Sequence, residues 1–303
     1  MITYKCKNCG GEMSVNASGD LYCPFCGSKS NFSDKQLENY KAFRLHMLSY
    51  LEALAKDKAD ESATRKLWDY SESRTFKSSD GEDITVIYLF RAEDDGVEMF
   101  MAKDSVIYVF TATNSYKAKQ FLDAVGRIAY PAADVRNLSR YIPSLKARID
   151  LEDNGVLLAF NKTENMYPLG AFDSFEYEHA AWLLSRLENL ACLFEYNDLV
   201  HNGMKFESVF VNPLTHEAAL YGGWWNAEYG KYTNSDLLDI RKVILKNLGR
   251  YKETAPKAFT EFLERAPKGD AYDDFAAWDK VIEESLGGHK FKKFSIKEGK
   301  KEV

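Results

Sequence analysis

The chain has 303 residues, 45% hydrophobic and 28% charged, with a formal net charge of -6 and an isoelectric point near 5.6. This composition excludes a disorder-dominated chain and leaves room for one larger domain beside a small module, while the acidic balance excludes a global positive field for nucleic acid or anionic membrane. No hydrophobic signal core follows Met1 and no run of about 18 apolar residues occurs, so a soluble, cytoplasmic protein is expected, with partners recognised locally.

Four of the five cysteines lie in two knuckles, Cys6-Lys7-Asn8-Cys9-Gly10 and Cys23-Pro24-Phe25-Cys26-Gly27. Paired cysteines two residues apart are metal spacing rather than a disulfide framework, and Zn2+ takes four such thiolates tetrahedrally. A structural zinc ribbon over residues 1–32 is expected, with Cys6, Cys9, Cys23 and Cys26 as ligands. A module of about 30 residues buries too little apolar surface to fold alone, so the metal would supply on the order of 10 kcal/mol of its folding free energy. Lys5, Lys7 and Lys29 against Glu12 and Asp20 make no basic face, which favours a structural or protein-binding ribbon over a nucleic-acid reader.

Residues 33–80 read as an amphipathic helix and linker. Ser33 and Gln36 form a capping-box pattern, after which Leu37, Tyr40, Arg44, Met47, Leu51 and Leu54 recur mostly at helical spacing. Residues 61–80 are polar and Ser-rich, and read as a helical extension and linker. Strands are predicted from Ile84 to Phe90, Val97 to Ala102 and Val106 to Phe110, with a turn at Glu93-Asp94-Asp95-Gly96. A helix from about Ser115 to Ala129 and strands at Lys146–Ile149 and Val156–Phe160 follow.

His179 to Asn197 carries apolar residues almost all round a helix, which predicts burial; Cys192 within it reads as a small core residue. Next comes His201-Asn202-Gly203-Met204-Lys205-Phe206-Glu207-Ser208, then a strand, a turn at Asn212-Pro213, a second strand, and Tyr221-Gly222-Gly223. Ser235-Asp236 opens another helix that runs to Gly249. A helical stretch from Ala258 to Leu286 follows, and the chain ends in a Lys-rich tail, with Lys290, Lys292, Lys293, Lys297, Lys300 and Lys301.

The two short motifs have the spacing of a protein kinase, in which H-R-D-x-K-x-x-N carries the base and a metal-binding Asn, and D-F-G carries a metal-binding Asp. His201, Lys205 and Gly223 keep the register, but Gly203 stands at the base, Ser208 at the Asn and Tyr221 at the metal-binding Asp. The chain therefore resembles a pseudokinase joined to a zinc ribbon, of a kind that occurs in bacterial and bacteriophage proteins. The resemblance implies an α+β fold in which the ribbon precedes a bilobal kinase-like domain, with a small lobe at 81–170, a large lobe at 171–290 and the tail at 291–303.

In kinases a Lys on the third strand clamps the phosphates and pairs with a Glu of the following helix. Here the third strand reads Ile107-Tyr108-Val109-Phe110, the helix offers Asp123, and Lys103 falls on a turn. Asp236 carries over as the anchor of the catalytic loop, accepting backbone N–H groups around His201; a simple helix cap is the alternative. Trp224 and Trp225 are expected either to plug the cleft or to anchor a partner. The resemblance implies a catalytically inactive binding or scaffold protein with structural Zn2+, no nucleotide, a protein partner, and neither membrane nor nucleic acid as a target. Two other readings stand beside it. One is an atypical nucleotide-binding transferase with Asp198, Glu207 or Glu228 holding Mg2+; the other is a nucleic-acid binder using the ribbon and the tail.

Overall fold

Four short antiparallel strands open the fold: β1 (Tyr4–Lys5), β2 (Glu12–Val15), β3 (Leu21–Tyr22) and β4 (Lys29–Ser30), paired in sequence order. The computed structural model describes residues 4–5, 12–15, 21–23, 25, 27, 29–30, 34–56, 61–133, 135–172, 174–230, 233–288 and 291–292. Cys6, Cys9, Cys26, Ser33, and Lys290 with the tail lysines from Lys293 onward lie outside them. Two compact units result, Met1–Tyr70 with Gly170–Phe172, and Ser71–Leu169 with Asp173–Val303. In the first, α1 (Asp34–Ala55) and α2 (Glu61–Trp68) follow the strands. Phe43, Met47, Leu51 and Leu67 are buried, His46 stacks on Tyr70, and Arg44 Nε donates to Ala171 O at 2.9 Å.

The second unit begins with a hairpin where the sequence predicts a linker. β5 (Glu72–Lys77) pairs along its whole length with β6 (Asp83–Tyr88). β5 offers only Phe76 as an apolar residue, and its strand form comes from that pairing and from Phe76 packing edge-on to Phe100 at 5.8 Å. Leu89 then separates β6 from β7 (Phe90–Asp94), so the predicted strand from Ile84 to Phe90 is divided between two sheets.

β7 continues into β8 (Val97–Met101) and β9 (Ser105–Phe110), then α3 (Ser115–Gly126), β10 (Ser144–Asp150) and β11 (Val156–Asn161). These five strands form one antiparallel sheet in the order β10-β11-β9-β8-β7. Phe76, Val86 and Tyr88 of the hairpin cluster with Phe100, Ile107, Val109 and Leu157 of the sheet. Phe121 of α3 meets Tyr108 and Phe160 of the same sheet. β9 is therefore buried at every position, which explains its unbroken apolar run.

The remainder is mostly helical: α4 (Tyr177–Tyr196), α5 (Ser235–Leu248), α6 (Lys257–Glu264) and α7 (Ala271–Leu286), with α4 against both α5 and α7. Asp270 caps α7 by accepting from Asp273 N–H at 2.8 Å, and Gly287 ends it at φ +68. β12 (Tyr167–Pro168), β14 (Val209–Asn212) and β15 (Glu217–Leu220) form a small sheet, and β13 (Leu199–Val200) pairs with β16 (Glu228–Tyr229). Phe291 lies edge-on to His216, and Lys292 pairs with Glu176 at 3.0 Å. Among the described residues no helix is long and apolar enough to cross a membrane.

Candidate functional site

The loop from His201 to Ser208 joins β13 to β14, and Tyr221-Gly222-Gly223 follows β15, so the strand–turn–strand brings the two motifs face to face. Asp236, in the first turn of α5, fixes the first of them. Its Oδ2 accepts from His201 N–H at 2.8 Å and its Oδ1 from Asn202 N–H at 3.0 Å. Burial pushes the Asp236 carboxyl up to about 6 against the pull of those two donors. At neutral pH it remains an anion that accepts both.

Fully buried His201 lies edge-on to Trp224 at 4.7 Å and stacked with Phe194 at 5.9 Å. Burial drives its pKa down to about 3, so the ring is neutral, and Nδ1 accepts from Gly203 N–H at 3.2 Å. Ser208 hydrogen-bonds to backbone. Its Oγ accepts from Lys205 N–H at 2.7 Å and lies 2.8 Å from Gly203 O, which cinches the loop into a tight turn. Tyr221 is also buried, and its hydroxyl accepts from Thr163 N–H at 3.4 Å.

Backbone fills the space between the two motifs. A Cβ on Gly203 would lie 2.8 Å from both Cα and O of Gly223. A Cβ on Gly223, which adopts φ +82, would lie 2.6 Å from Gly203 O and 2.8 Å from His201 Cε1. Real side chains do not tolerate such approaches, so the two glycines form a seam in which neither carries a substituent while the backbones keep this spacing. Gly222 is similarly confined, its notional Cβ 3.0 Å from the Tyr108 hydroxyl and 3.1 Å from Ser208 Cα.

Above the seam lies an aromatic cluster, in which Tyr108 of β9 meets Phe121 of α3 with ring centroids 5.5 Å apart. Phe121 stacks on Phe160 at 4.4 Å, and Trp225 closes the group at 5.7 Å from Tyr108 and 6.1 Å from Phe121. Lys103 and Asp123 are exposed and outside this cluster.

Trp224 and Trp225 are 0% and 5% exposed, and Trp224 Nε1 donates to Leu220 O at 2.8 Å. Their burial corrects the exposed-anchor alternative: they fill the interior instead of presenting a surface to a partner. The chain beyond them is pinned as well, because Tyr229 Oη donates to Ala124 O at 2.7 Å and Arg127 sits 3.8 Å above the Tyr229 ring. Asp198 and Glu228 are exposed and Glu207 is half-buried. Among the described residues no three His, Cys, Asp or Glu side chains are arranged to hold a metal ion.

In the amino-terminal module, Cys23 is buried and its carbonyl accepts from Gly27 N–H at 2.8 Å, with Gly27 at φ +71. That turn around the second knuckle fits the zinc-binding pattern, in which a glycine after the second cysteine lets the backbone fold about the ion.

The geometry missed by sequence reasoning is the seam itself. Gly203 and Gly223 read as a lost base and a retained motif glycine; only their contact shows that each requires the other.

Residues 1–29 match the model of a zinc ribbon domain family. A search of curated proteins found no match. Among solved structures, vaccinia related kinase 3 aligns at a TM-score of 0.51 and 12% identity, covering 71% of this chain and 91% of that one. WbdD aligns at a TM-score of 0.44 and 14% identity, over 66% of this chain and 47% of its own. A second structure, of the bifunctional kinase-methyltransferase WbdD, gives 0.45 and 13% over 66% and 48%. The chain thus spans about half the length of the WbdD chains, and identities this low show the fold alone. The architecture is a mixed α and β, kinase-like fold preceded by a zinc-ribbon-like module.

Proposed function

We propose that this chain is a kinase-like binding or scaffold protein that does not transfer phosphate. Phosphoryl transfer depends on positioning and charge: metal ions on the phosphates, a Lys clamp and a carboxylate to take the hydroxyl proton. The observation that carries the proposal is the Gly203–Gly223 seam, which leaves no volume for a carboxylate at the base position. Ser208 and Tyr221 at the metal positions, and Tyr108 with Phe121 at the clamp, support the same reading. Loss of the base alone costs about 10² to 10⁴ in rate, before the metal sites are considered.

The ribbon completes the proposal. Cys6, Cys9, Cys23 and Cys26 would hold one Zn2+, which contributes folding free energy to the module and no chemistry to the cleft. The protein works through its surfaces, with a protein as partner; nucleic acid and membrane are disfavoured by the acidic charge balance.

ATP with Mg2+ is expected to leave the melting temperature unchanged and to be neither hydrolysed nor used for autophosphorylation. A melting shift that vanishes on adding a chelator, accompanied by turnover, overturns the proposal in favour of the atypical transferase. Elemental analysis should return one zinc per chain, lost when any one of the four cysteines becomes Ser.

A further inference from the structure

Helices α4 and α7 pack on each other and are joined by the Trp278 indole, whose Nε1 donates to Ser185 Oγ at 2.8 Å. Beside Ser185 lies a cavity of about 580 Å³, within the size range of small-molecule sites. Arg186 and Asn189 line it from one face of α4, and Phe275 and Asp279 from one face of α7, each pair spaced to share a helix side. His216, from the turn between β14 and β15, and Phe291 add two rings. None of these residues belongs to the cleft motifs.

The walls are held in place. Arg186 Nε donates to His216 O at 3.0 Å, which fixes the guanidinium and leaves its two terminal nitrogens without a partner among the described residues. Phe291 lies edge-on to His216 at 6.2 Å, and the next residue ties down its backbone. His216 Nε2 donates to Lys292 O at 3.1 Å, and Lys292 Nζ pairs with Glu176 at 3.0 Å. His216 in turn stacks on buried Trp182 at 5.2 Å. Burial first, and then nearby His179, hold the His216 imidazole below its ordinary range, so at neutral pH it adds no charge.

Two opposite charges therefore line one cavity. Among the described residues Arg186 and Asp279 form no ion pair with each other, so a ligand carrying both charges can bridge them. A bare anion would meet the Asp279 carboxylate and a bare cation the Arg186 guanidinium, whereas a zwitterion answers both. Asn189 Nδ2 donates to Ser185 O at 2.9 Å, which leaves Oδ1 as a further acceptor. Phe275 and Phe291 supply rings against which another aromatic group packs.

We infer that this cavity binds a free α-amino acid with an aromatic side chain. Its carboxylate takes the terminal nitrogens of Arg186, its ammonium the Asp279 carboxylate and Asn189 Oδ1, and its ring the space between Phe275 and Phe291. The inference goes beyond the kinase-like reading and stands whatever the cleft does.

The test is calorimetric titration of the full chain with L-phenylalanine, N-acetyl-L-phenylalanine and L-phenylalaninamide. The two derivatives lack the cation and the carboxylate respectively, and so stand for the two ends of a peptide. L-Phenylalanine should bind saturably and at least about tenfold more tightly than either, since each derivative forfeits one charge-assisted contact. Arg186→Met should weaken L-phenylalanine at least about tenfold without weakening the amide, and Asp279→Asn should weaken it likewise without weakening the N-acetyl compound. Should either variant not fold, the wild-type ranking of the three compounds decides. No saturable binding of L-phenylalanine below about 10 mM, equal binding of the three, or binding untouched by Arg186→Met overturns the inference. A derivative bound more tightly than the free amino acid overturns it in favour of a peptide end.

Discussion

The cleft and the helical core beneath it hold opposite kinds of residue from those their positions suggest. Where a kinase concentrates charge, the centre of this cleft packs Tyr108, Phe121, Phe160, Trp224 and Trp225. Where a core is expected to be apolar, α4, α5 and α7 bury Glu188, Arg241 and Asp274 at 0%, 2% and 0% exposure. Arg241 donates to Asp274 and to Arg265 O, and its guanidinium lies 4.8 Å from the Phe262 ring centroid. Glu188 has no hydrogen-bond partner on either oxygen among the described residues, and burial together with the nearby Asp274 pushes its carboxyl up to about 8. Perturbed carboxyls are often taken as markers of active sites. In this protein Glu188 in the helical core is shifted about as far as His201 in the cleft, so a perturbed group does not by itself tell the two regions apart.

The largest break in this comparison should come from the buried ion pair. Asp274→Asn removes the carboxylate to which Arg241 donates and is expected to cost about 3 to 5 kcal/mol, measured by denaturant unfolding. A cost near zero would mean that the neighbouring Glu188 ionises and takes over as counter-charge.

Next comes the seam. Gly223→Ala adds a clash with Gly203 O to a strained positive φ, for about 3 kcal/mol in all. For a unit of this size that is roughly 6 to 12 °C in melting temperature. Gly203→Asp should destabilise similarly and should not restore ATP turnover; a stable, active Gly203→Asp protein would dismantle the account of the cleft.

Asp236→Ala removes the acceptor for two loop N–H groups and should cost about 1 to 3 kcal/mol. A value at the low end would place the residue in an ordinary capping role.

The smallest effect sharpens the comparison through pH. Glu188 has a folded pKa above its unfolded one, so its contribution is complete below the unfolded value near 4.5 and is lost as pH rises through about 8. Between pH 7 and 8 stability should fall by roughly 1 kcal/mol on this account. Glu188→Gln should flatten that slope, and an unchanged slope would assign it to other groups.

Much of this architecture is legible from local signals. The long helix at 177–196, the strands at 97–101 and 105–110, and the hairpin turn at Asp95-Gly96 each have periodicity or turn chemistry to announce them. The hairpin β5–β6 does not, because Glu72-Ser73-Arg74-Thr75-Phe76-Lys77 is mostly polar and becomes a strand only against its partner. The motif spacing singles out His201, Gly203 and Asp236 as candidates, and the Asp236 bonds to His201 and Asn202 N–H are seen, but most contacts around them are long-range. Lys205 meets Asp94 across 111 residues and Arg241 meets Asp274 across 33. Pairings of that kind are created by the fold, and no local pattern encodes them. The cysteines of the ribbon pattern present the opposite case, a signal complete in sequence, with Cys6, Cys9 and Cys26 outside the described residues.

The contact between Gly203 and Gly223 also bears on mutational history. A kinase that loses its base by a single substitution could regain it by the reverse one. On the proposed reading, an acidic side chain at 203 would first require the loop at 223 to retreat, because a Cβ at 203 already meets Gly223 at 2.8 Å. Substitutions at 203 and 223 should therefore couple rather than add, and regaining a base would need at least two coordinated changes.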